Sequence, residues 1–157
     1  MNGKEAVKFY RETTFFEDKE KDSIENKYYE ARTLKGQLNY FLKKKDISIK
    51  VLSERLGIEA KQMSRYSSGD RTPDRLTVIR IGFGLDLDVE DFNRLLSSAG
   101  FADLSMKRKE DTLILEHFDE IKLNVKMQDK KINYEYYNYF DEILNEAGCG
   151  KLFDVKE

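Results

Sequence analysis

Apolar residues recur at helical spacing along most of the chain, and this pattern constrains the fold more than any other feature of the sequence. Leu34, Leu38, Phe41 and Leu42 stand at positions i, i+4, i+7 and i+8, which form one face of a helix. Similar spacing predicts six further helices, marked by Leu52 with Leu56, Met63 with Tyr66, Leu76 with Phe83, Phe92 with Leu96, Ile114 with Phe118, Ile121 and Val125, and Tyr136 with Leu144. Only one residue of 157 is proline, the residue that most disfavours helix interiors.

The predicted helices also carry start and stop signals. Four residues can act as N-caps that bond the unpaired N–H groups of a first turn: Ser48, Thr72, Asp88 and Asn133. Pro73 follows Thr72 and fits the first helical position. Four single glycines fit left-handed C-terminal caps: Gly57, Gly69, Gly100 and Gly148. Because the apolar period and these signals agree, we expect an all-α fold.

Charge is distributed unevenly along a chain whose formal net charge is −2. Residues 1–34 have a net charge of −1, residues 35–81 carry 11 basic and 5 acidic side chains for a net +6, and residues 82–157 have −7. A cationic central segment predicts contact with a polyanion, and an acidic C-terminal segment predicts a different partner. Chance could produce the same asymmetry in a chain in which 37% of the residues are charged.

The sequence lacks the residues that several classes of function require. His117 is the only histidine, so Glu116, His117 and Glu120 make a poor set of metal ligands. Gly82-Phe83-Gly84 lacks the strand and the further glycine of a phosphate-binding loop. We therefore expect no enzymatic activity, no metal and no cofactor. The single Cys149, the absence of a signal-peptide pattern and the lack of ~20 consecutive apolar residues predict a soluble cytoplasmic protein with no membrane contact.

Residues 49–69 predict two short helices joined by a tight turn at Gly57. Ser53 is small enough to let the two helices cross closely, and Gly57 tolerates the positive φ that such a turn requires. The second helix, residues 60–67, would then project outward as a rigid rod able to enter the major groove of DNA.

Two stretches of this segment resemble a known family. Residues 47–58, with Ser48, Leu52, Leu56 and Gly57, resemble the opening motif of the XRE family of helix-turn-helix regulators, which is related to lambda repressor and Cro. Residues 64–73, Ser-Arg-Tyr-Ser-Ser-Gly-Asp-Arg-Thr-Pro, are similar to the closing motif of that family. The similarity covers roughly residues 33–120.

The resemblance implies a domain organisation. It predicts a lambda-repressor-like five-helix DNA-binding bundle at residues 33–104, with additional C-terminal helices in an acidic region at 105–157 that is a possible dimerisation or partner surface. Residues 1–32 are expected to form an N-terminal aromatic and charged arm or helix. Three positions depart from the family pattern, because Ser53 replaces Ala, Ser67 replaces a frequent Glu that anchors the fold, and Glu59 stands at an N-cap where Ser or Thr is usual.

The motif also implies which residues contact DNA. Outward residues of the recognition helix are expected to contact base edges, and these are Ala60, Lys61, Gln62, Ser64 and Arg65. Arginine or lysine can donate to guanine, glutamine can pair with adenine, and alanine can touch a thymine methyl group. Expected phosphate contacts are Ser48, Lys50, Ser68 and Arg71. Lys44, in the run Lys43–Lys45, is either a further phosphate contact or a solubilising helix end.

This resemblance implies a sequence-specific transcriptional regulator, acting as a repressor, that binds double-stranded DNA as a homodimer. Three dimer surfaces stay open: the fifth helix with Phe92, Leu95 and Leu96, the acidic C-terminal helices, and the N-terminal arm. An alternative from another class is an antitoxin or adaptor that holds a protein partner through the acidic C-terminal helices.

Overall fold

A computed structural model describes residues 32–126 and 131–156, and this part of the chain consists of eight α-helices and no strands. The helices are α1 (Leu34–Lys44), α2 (Ile49–Leu56), α3 (Ala60–Ser68), α4 (Arg75–Gly84), α5 (Val89–Ser98), α6 (Lys109–Glu116), α7 (Phe118–Lys126) and α8 (Tyr134–Glu146). The all-α prediction is confirmed. No helix within these two ranges has the length and apolar character needed to cross a membrane. Apart from Arg32, the predicted N-terminal arm lies outside the described residues.

Most predicted helix ends lie where the capping residues indicate. The side chains of Ser48, Asp88 and Asn133 accept hydrogen bonds from backbone N–H groups three residues later, at 3.1, 2.8 and 3.1 Å. The four glycines predicted to end helices, Gly57, Gly69, Gly100 and Gly148, all have positive φ, between 68° and 85°. These helix ends are therefore determined by residues within one turn of them.

The start of α4 is a correction to the sequence analysis. Thr72 and Pro73 lie in the preceding loop, and the N-cap is Asp74, whose carboxylate accepts from the Thr77 N–H at 2.8 Å. Asp and Thr are both good N-caps, so the sequence offered two starts two residues apart. Pro73 is buried in the loop instead of occupying the first helical position.

The sixth predicted helix is two helices. α6 ends at Glu116 and α7 begins at Phe118, because His117 leaves helical geometry with φ −104° and ψ 13°. No proline or glycine marks this break in the sequence. The His117 ring lies 5.6 Å from the Phe140 ring of α8, so packing between distant segments accompanies the change of direction.

α4 lies at the centre of the fold, and two glycines let it approach its neighbours closely. A Cβ atom on Gly84 would lie 2.5 Å from Leu52 of α2, and one on Gly82 would lie 2.4 Å from the Phe92 ring of α5. Any larger residue would force these helices apart. The Gly-Phe-Gly sequence is therefore a packing feature.

The C-terminal helices complete the same hydrophobic core. Buried residues of α7, α8 and the C-terminal tail join those of α1–α5 in one cluster, with Phe118 packed against Phe83 and Phe92 at ring distances of 5.2 Å. In the tail, residues 149–156, the Phe153 ring stacks on Tyr137 at 3.8 Å. Phe92, Leu95 and Leu96 belong to this core, at 1%, 0% and 0% exposure. The suggested dimer surface formed by these three residues is therefore wrong.

An internal ion pair joins α4 to α6. The Arg75 guanidinium donates two hydrogen bonds to the Asp111 carboxylate, at 2.7 and 2.8 Å, and Asp111 is fully buried. Burial works to raise the pKa of Asp111, but hydrogen bonds from Arg75 and from the Ser105 N–H outweigh it and hold that pKa below its usual range. The pair fastens the start of α4 to the C-terminal region.

Candidate nucleic-acid interface

α2 and α3 are two short helices at the places that the sequence analysis predicted, and a turn at residues 57–59 joins them. The Gly57 N–H donates to the Ser53 carbonyl at 2.9 Å and Gly57 adopts φ +68°, so the chain reverses direction directly after α2. Ser53 is buried and its hydroxyl donates to the Ile49 carbonyl at 2.7 Å, so this buried polar group is satisfied within α2. Local sequence thus accounts for the helix end and the turn at Gly57.

The two faces of α3 differ sharply in burial. Met63, Tyr66 and Ser67 are buried and anchor the helix. On the opposite side, Ala60, Lys61 and Ser64 are exposed, while Gln62 and Arg65 are half-buried at the boundary. All five predicted base-contact residues therefore lie on the exposed face or at its edge, and their contact with bases stays a prediction.

Gln62 has a partner within the protein. Its side-chain amide nitrogen donates to the Tyr66 hydroxyl oxygen at 2.9 Å, one turn along α3. A bidentate contact with adenine uses one amide hydrogen and the carbonyl oxygen of the glutamine. The bond to Tyr66 engages the other amide hydrogen, so it orients the side chain without preventing such a contact.

The five predicted phosphate-contact residues are all exposed, and four of them lie at two ends of the α2–α3 unit. Ser48 and Lys50 stand at the start of α2, and the Ser48 hydroxyl also caps that helix. Ser68 and Arg71 stand at the end of α3, where the Arg71 N–H donates to the Arg65 carbonyl at 3.2 Å. Lys44 lies on α1 with its ammonium group 5.7 Å from the Tyr40 ring. Their role as phosphate contacts stays a prediction.

Glu59 occupies the N-cap position of α3 but makes no capping hydrogen bond with its side chain. The carboxylate is exposed at the positive end of the helix dipole, an arrangement that favours a negative charge. It also places that charge next to Ala60 and Lys61, where it opposes the approach of a phosphate.

Four basic residues of the +6 segment bind the protein itself. The guanidinium of Arg55 donates to the Gly84 carbonyl and the ammonium of Lys45 to the Asp86 carbonyl, at 3.0 and 3.1 Å. Arg75 pairs with Asp111, and the buried Arg80 donates to the Leu56 carbonyl. Burial lowers the pKa of Arg80. Residue type and net charge could not separate these four from the exposed cations.

The turn after α2 is supported from the C-terminal region, which sequence reasoning missed. The Tyr137 hydroxyl donates to the Arg55 carbonyl at 2.6 Å, and burial raises the pKa of that hydroxyl above its usual value. Ile132 and Val155 pack so closely on Gly57 that a Cβ atom there would lie 2.8 Å from each. The apolar spacing of Tyr136 and Leu144 predicts α8 as a helix but gives no indication of this partner.

Asn39 is a second residue that the sequence analysis missed. Its side-chain amide donates to the Ser67 carbonyl at 2.8 Å and to the Lys35 carbonyl at 2.8 Å, which ties α1 to the end of α3. Ser67 departs from the family pattern by lacking a carboxylate anchor, and its hydroxyl donates to the Ser64 carbonyl instead. The end of α3 is thus anchored to α1 through the Ser67 backbone carbonyl and not through the Ser67 side chain.

Comparison with protein-family models, curated proteins and solved structures finds no match to the chain. Within the described ranges, no group of three or more His, Cys, Asp or Glu side chains is placed to hold a metal ion. Cys149 is half-buried, with its sulfur 3.6 Å from the Ala147 carbonyl.

Proposed function

We propose that the protein is a sequence-specific DNA-binding regulator of XRE type, acting as a repressor, that reads the major groove with α3. In this proposal α1–α5 correspond to the five helices of a lambda-repressor-like bundle, and α6–α8 are additional C-terminal helices. The exposed cations and hydroxyls at both ends of the unit supply phosphate contacts, and α3 supplies contacts to bases.

One observation carries the proposal: α3 is anchored by one buried face and presents the other to solvent. Met63 is fully buried, whereas Lys61 and Ser64 on the opposite side are exposed. Within the described residues, Lys61 and Arg65 enter no ion pair. A rigid helix with one cation on its exposed face and another at the edge of that face suits the major groove, since the groove admits one helix and offers guanine O6 and N7 as acceptors.

A homodimer is part of the proposal, because one helix of this length reads only a few base pairs. Two copies with α3 helices ~34 Å apart would read two half-sites of a near-palindromic operator. The surface that joins them is not on the buried side of α5, where Leu95 and Leu96 are fully buried.

Selection of bound sequences from a random duplex pool tests the proposal. We expect enrichment of a two-fold-symmetric site, and a log–log salt slope of about −5 to −7 if each protomer neutralises ~3–4 phosphates. No enrichment would contradict sequence-specific binding, and enrichment of an asymmetric site would contradict the symmetric dimer.

Arg65→Ala should weaken binding to the selected site by ~1–3 kcal/mol and relax the preference at one base pair. Lys107→Ala is the control, because Lys107 is an exposed cation in the loop before α6 and does not belong to the α2–α3 unit. Equal losses on selected and random duplexes would show that Arg65 does not read a base.

A further inference from the structure

A concave surface of about 470 Å³ lies beside the C-terminal end of α3. It is enclosed by the start of α1, the loop that follows α3 and the end of α5. Its base is apolar, with the buried side chains of Leu34 and Tyr66. Its rim is polar and exposed, with Lys35, Ser68 and Arg71. An apolar base with a few polar groups at the rim is the usual form of a small-ligand site.

The charge of this concavity is positive. Lys35 and Arg71 line it, and no acidic residue is among the described residues that do. Two other concavities differ, since Glu90 and Asp103 line one of them and Asp141 and Glu142 line the other. Within the described ranges, neither Lys35 nor Arg71 enters an ion pair, so no described carboxylate competes with an external anion for them.

The backbone brings the two cations to the same place. Gly69 has φ +85°, and a Cβ atom on it would lie 3.6 Å from Cδ of Lys35, so the lysine stem lies along this glycine. Two residues later, the Arg71 N–H bonds to the Arg65 carbonyl, which holds the loop against α3. Asn39 fixes the facing surface of α1 through its bonds to the Lys35 and Ser67 carbonyls.

We propose that this concavity binds a phosphate group between Lys35 and Arg71. Ammonium and guanidinium groups together satisfy the anionic oxygens of a phosphate, and guanidinium can do so with two parallel bonds. The phosphate belongs either to the backbone of a bound duplex or to a free phosphate ester, which share these oxygens. Binding of a duplex phosphate rests on the proposed function and adds a residue of α1 to the DNA contacts. Binding of a free phosphate ester does not depend on the proposed function.

The test uses the full chain and two probes, a random-sequence duplex and inorganic phosphate. Backbone amide resonances of Lys35, Gly69 and Arg71 are followed by NMR at low salt, and duplex affinity is measured across salt concentrations. Lys35→Gln and Arg71→Gln are compared with Lys107→Gln, which removes the same charge from an exposed loop elsewhere. Because all three residues are exposed, we expect the thermal midpoints of the variants to match that of the parent.

We expect Lys35→Gln and Arg71→Gln each to weaken binding of the probe that occupies the site. If that probe is the duplex, each substitution should also reduce the magnitude of the salt slope by about 1 per protomer. Lys107→Gln should change neither. Asp70→Asn, which removes the acidic charge between Gly69 and Arg71, should strengthen binding of the same probe.

The responses to the two probes identify the source of the phosphate. Shifts caused by the duplex alone support a backbone phosphate, and shifts caused by inorganic phosphate support a free ester. The proposal is overturned if neither probe shifts these amides, or if Lys35→Gln and Arg71→Gln behave like Lys107→Gln. The base selectivity lost in Arg65→Ala is a separate measurement, so this site and the reading of bases by α3 can fail independently.

Discussion

Basic residues of the central segment play two different physical roles. Arg80 and Arg75 are held inside the fold by a backbone carbonyl and by a buried carboxylate. Lys61 and Arg71 are exposed and have no ion-pair partner within the described residues. Replacing a member of the first group should reduce the free energy of unfolding, and replacing one of the second should change affinity for an anion.

Asp111→Asn should reduce the free energy of unfolding by about 3 kcal/mol at neutral pH, because it leaves the Arg75 guanidinium without its buried carboxylate. The folded pKa of Asp111 is lowered, so its contribution is present above the unfolded pKa and is lost as pH falls through the folded pKa. Chemical denaturation at several pH values should therefore show a difference between parent and variant that begins to shrink below about pH 4 and is lost only at still lower pH.

Lys151→Gln is the control for this measurement. Lys151 pairs with Asp154 at 3.9 Å across exposed side chains, and such pairs contribute about 0.5 kcal/mol or less. A loss in Asp111→Asn no greater than that of the control, or one independent of pH, would contradict the role given to the buried pair.

Gly57→Ala should destabilise the protein more than Gly148→Ala. Both glycines have positive φ, at 68° and 78°, so both substitutions carry the left-handed backbone penalty of about 1 kcal/mol. A Cβ atom on Gly57 would also lie 2.8 Å from Ile132 and Val155, whereas nothing lies within 4 Å of one on Gly148. The added crowding should cost about 1 kcal/mol more, measured by thermal or urea unfolding. Equal losses would show that the packing on Gly57 relaxes at no cost.

At the scale of elements, the link between α8 and the α2–α3 unit is the least expected feature. The Tyr137 hydroxyl reaches the last turn of α2, while the Tyr137 ring stacks on Phe153 of the tail. The Asp141 carboxylate accepts three backbone N–H groups, from Leu152, Phe153 and Asp154, at 2.8, 2.9 and 2.7 Å. The tail is thus fastened to α8, and α8 to the turn that positions α3.

Asp141→Asn should loosen the tail and reduce the free energy of unfolding by about 1–3 kcal/mol, because an amide nitrogen would face the Asp154 N–H that the carboxylate oxygen now satisfies. Hydrogen exchange at residues 152–154 should accelerate. Glu142→Gln is the matched control, since this neighbouring carboxylate is exposed. Unchanged exchange in Asp141→Asn would mean that ring stacking and burial hold the tail without the carboxylate.

At the scale of the whole molecule, the helices described in 33–104 and those in 105–157 share one core. Phe83 of α4, Phe92 of α5 and Phe118 of α7 form a cluster of rings 4.7–5.2 Å apart. A core shared in this way favours cooperative unfolding. The predicted boundary near residue 104 therefore does not divide the hydrophobic core. The different functions expected of the two segments stay a prediction.

Phe118→Ala should cost about 3–5 kcal/mol and should destabilise α3 as much as α8, since both depend on the same core. Hydrogen exchange of buried amides in α3 and α8 would report the two helices separately. Leu123→Ala is the control, because Leu123 lies on the same helix but is 58% exposed. Exchange that accelerates in α8 and not in α3 would show two independently stable units.

Short-range signals accounted for most of the helices and their ends. Ser48, Asp88 and Asn133 cap as predicted, since an N-cap bond involves groups only three residues apart. The predicted start of α4 at Thr72 is wrong by two residues, because Asp74 is an equally good N-cap and takes that position. No residue near His117 predicts the break between α6 and α7. The break lies where the His117 ring packs against Phe140, a residue distant in the sequence.

For the candidate interface, the sequence by itself determined the α2–turn–α3 unit, since apolar spacing and Gly57 act within one or two turns of chain. Only the tertiary structure decided which cations are used internally and that Lys35 lies beside Arg71. It also revealed the support of the turn by Tyr137, 82 residues after Arg55 in the chain. The physical reason is that burial and pairing depend on residues distant in sequence, whose meeting no local pattern encodes.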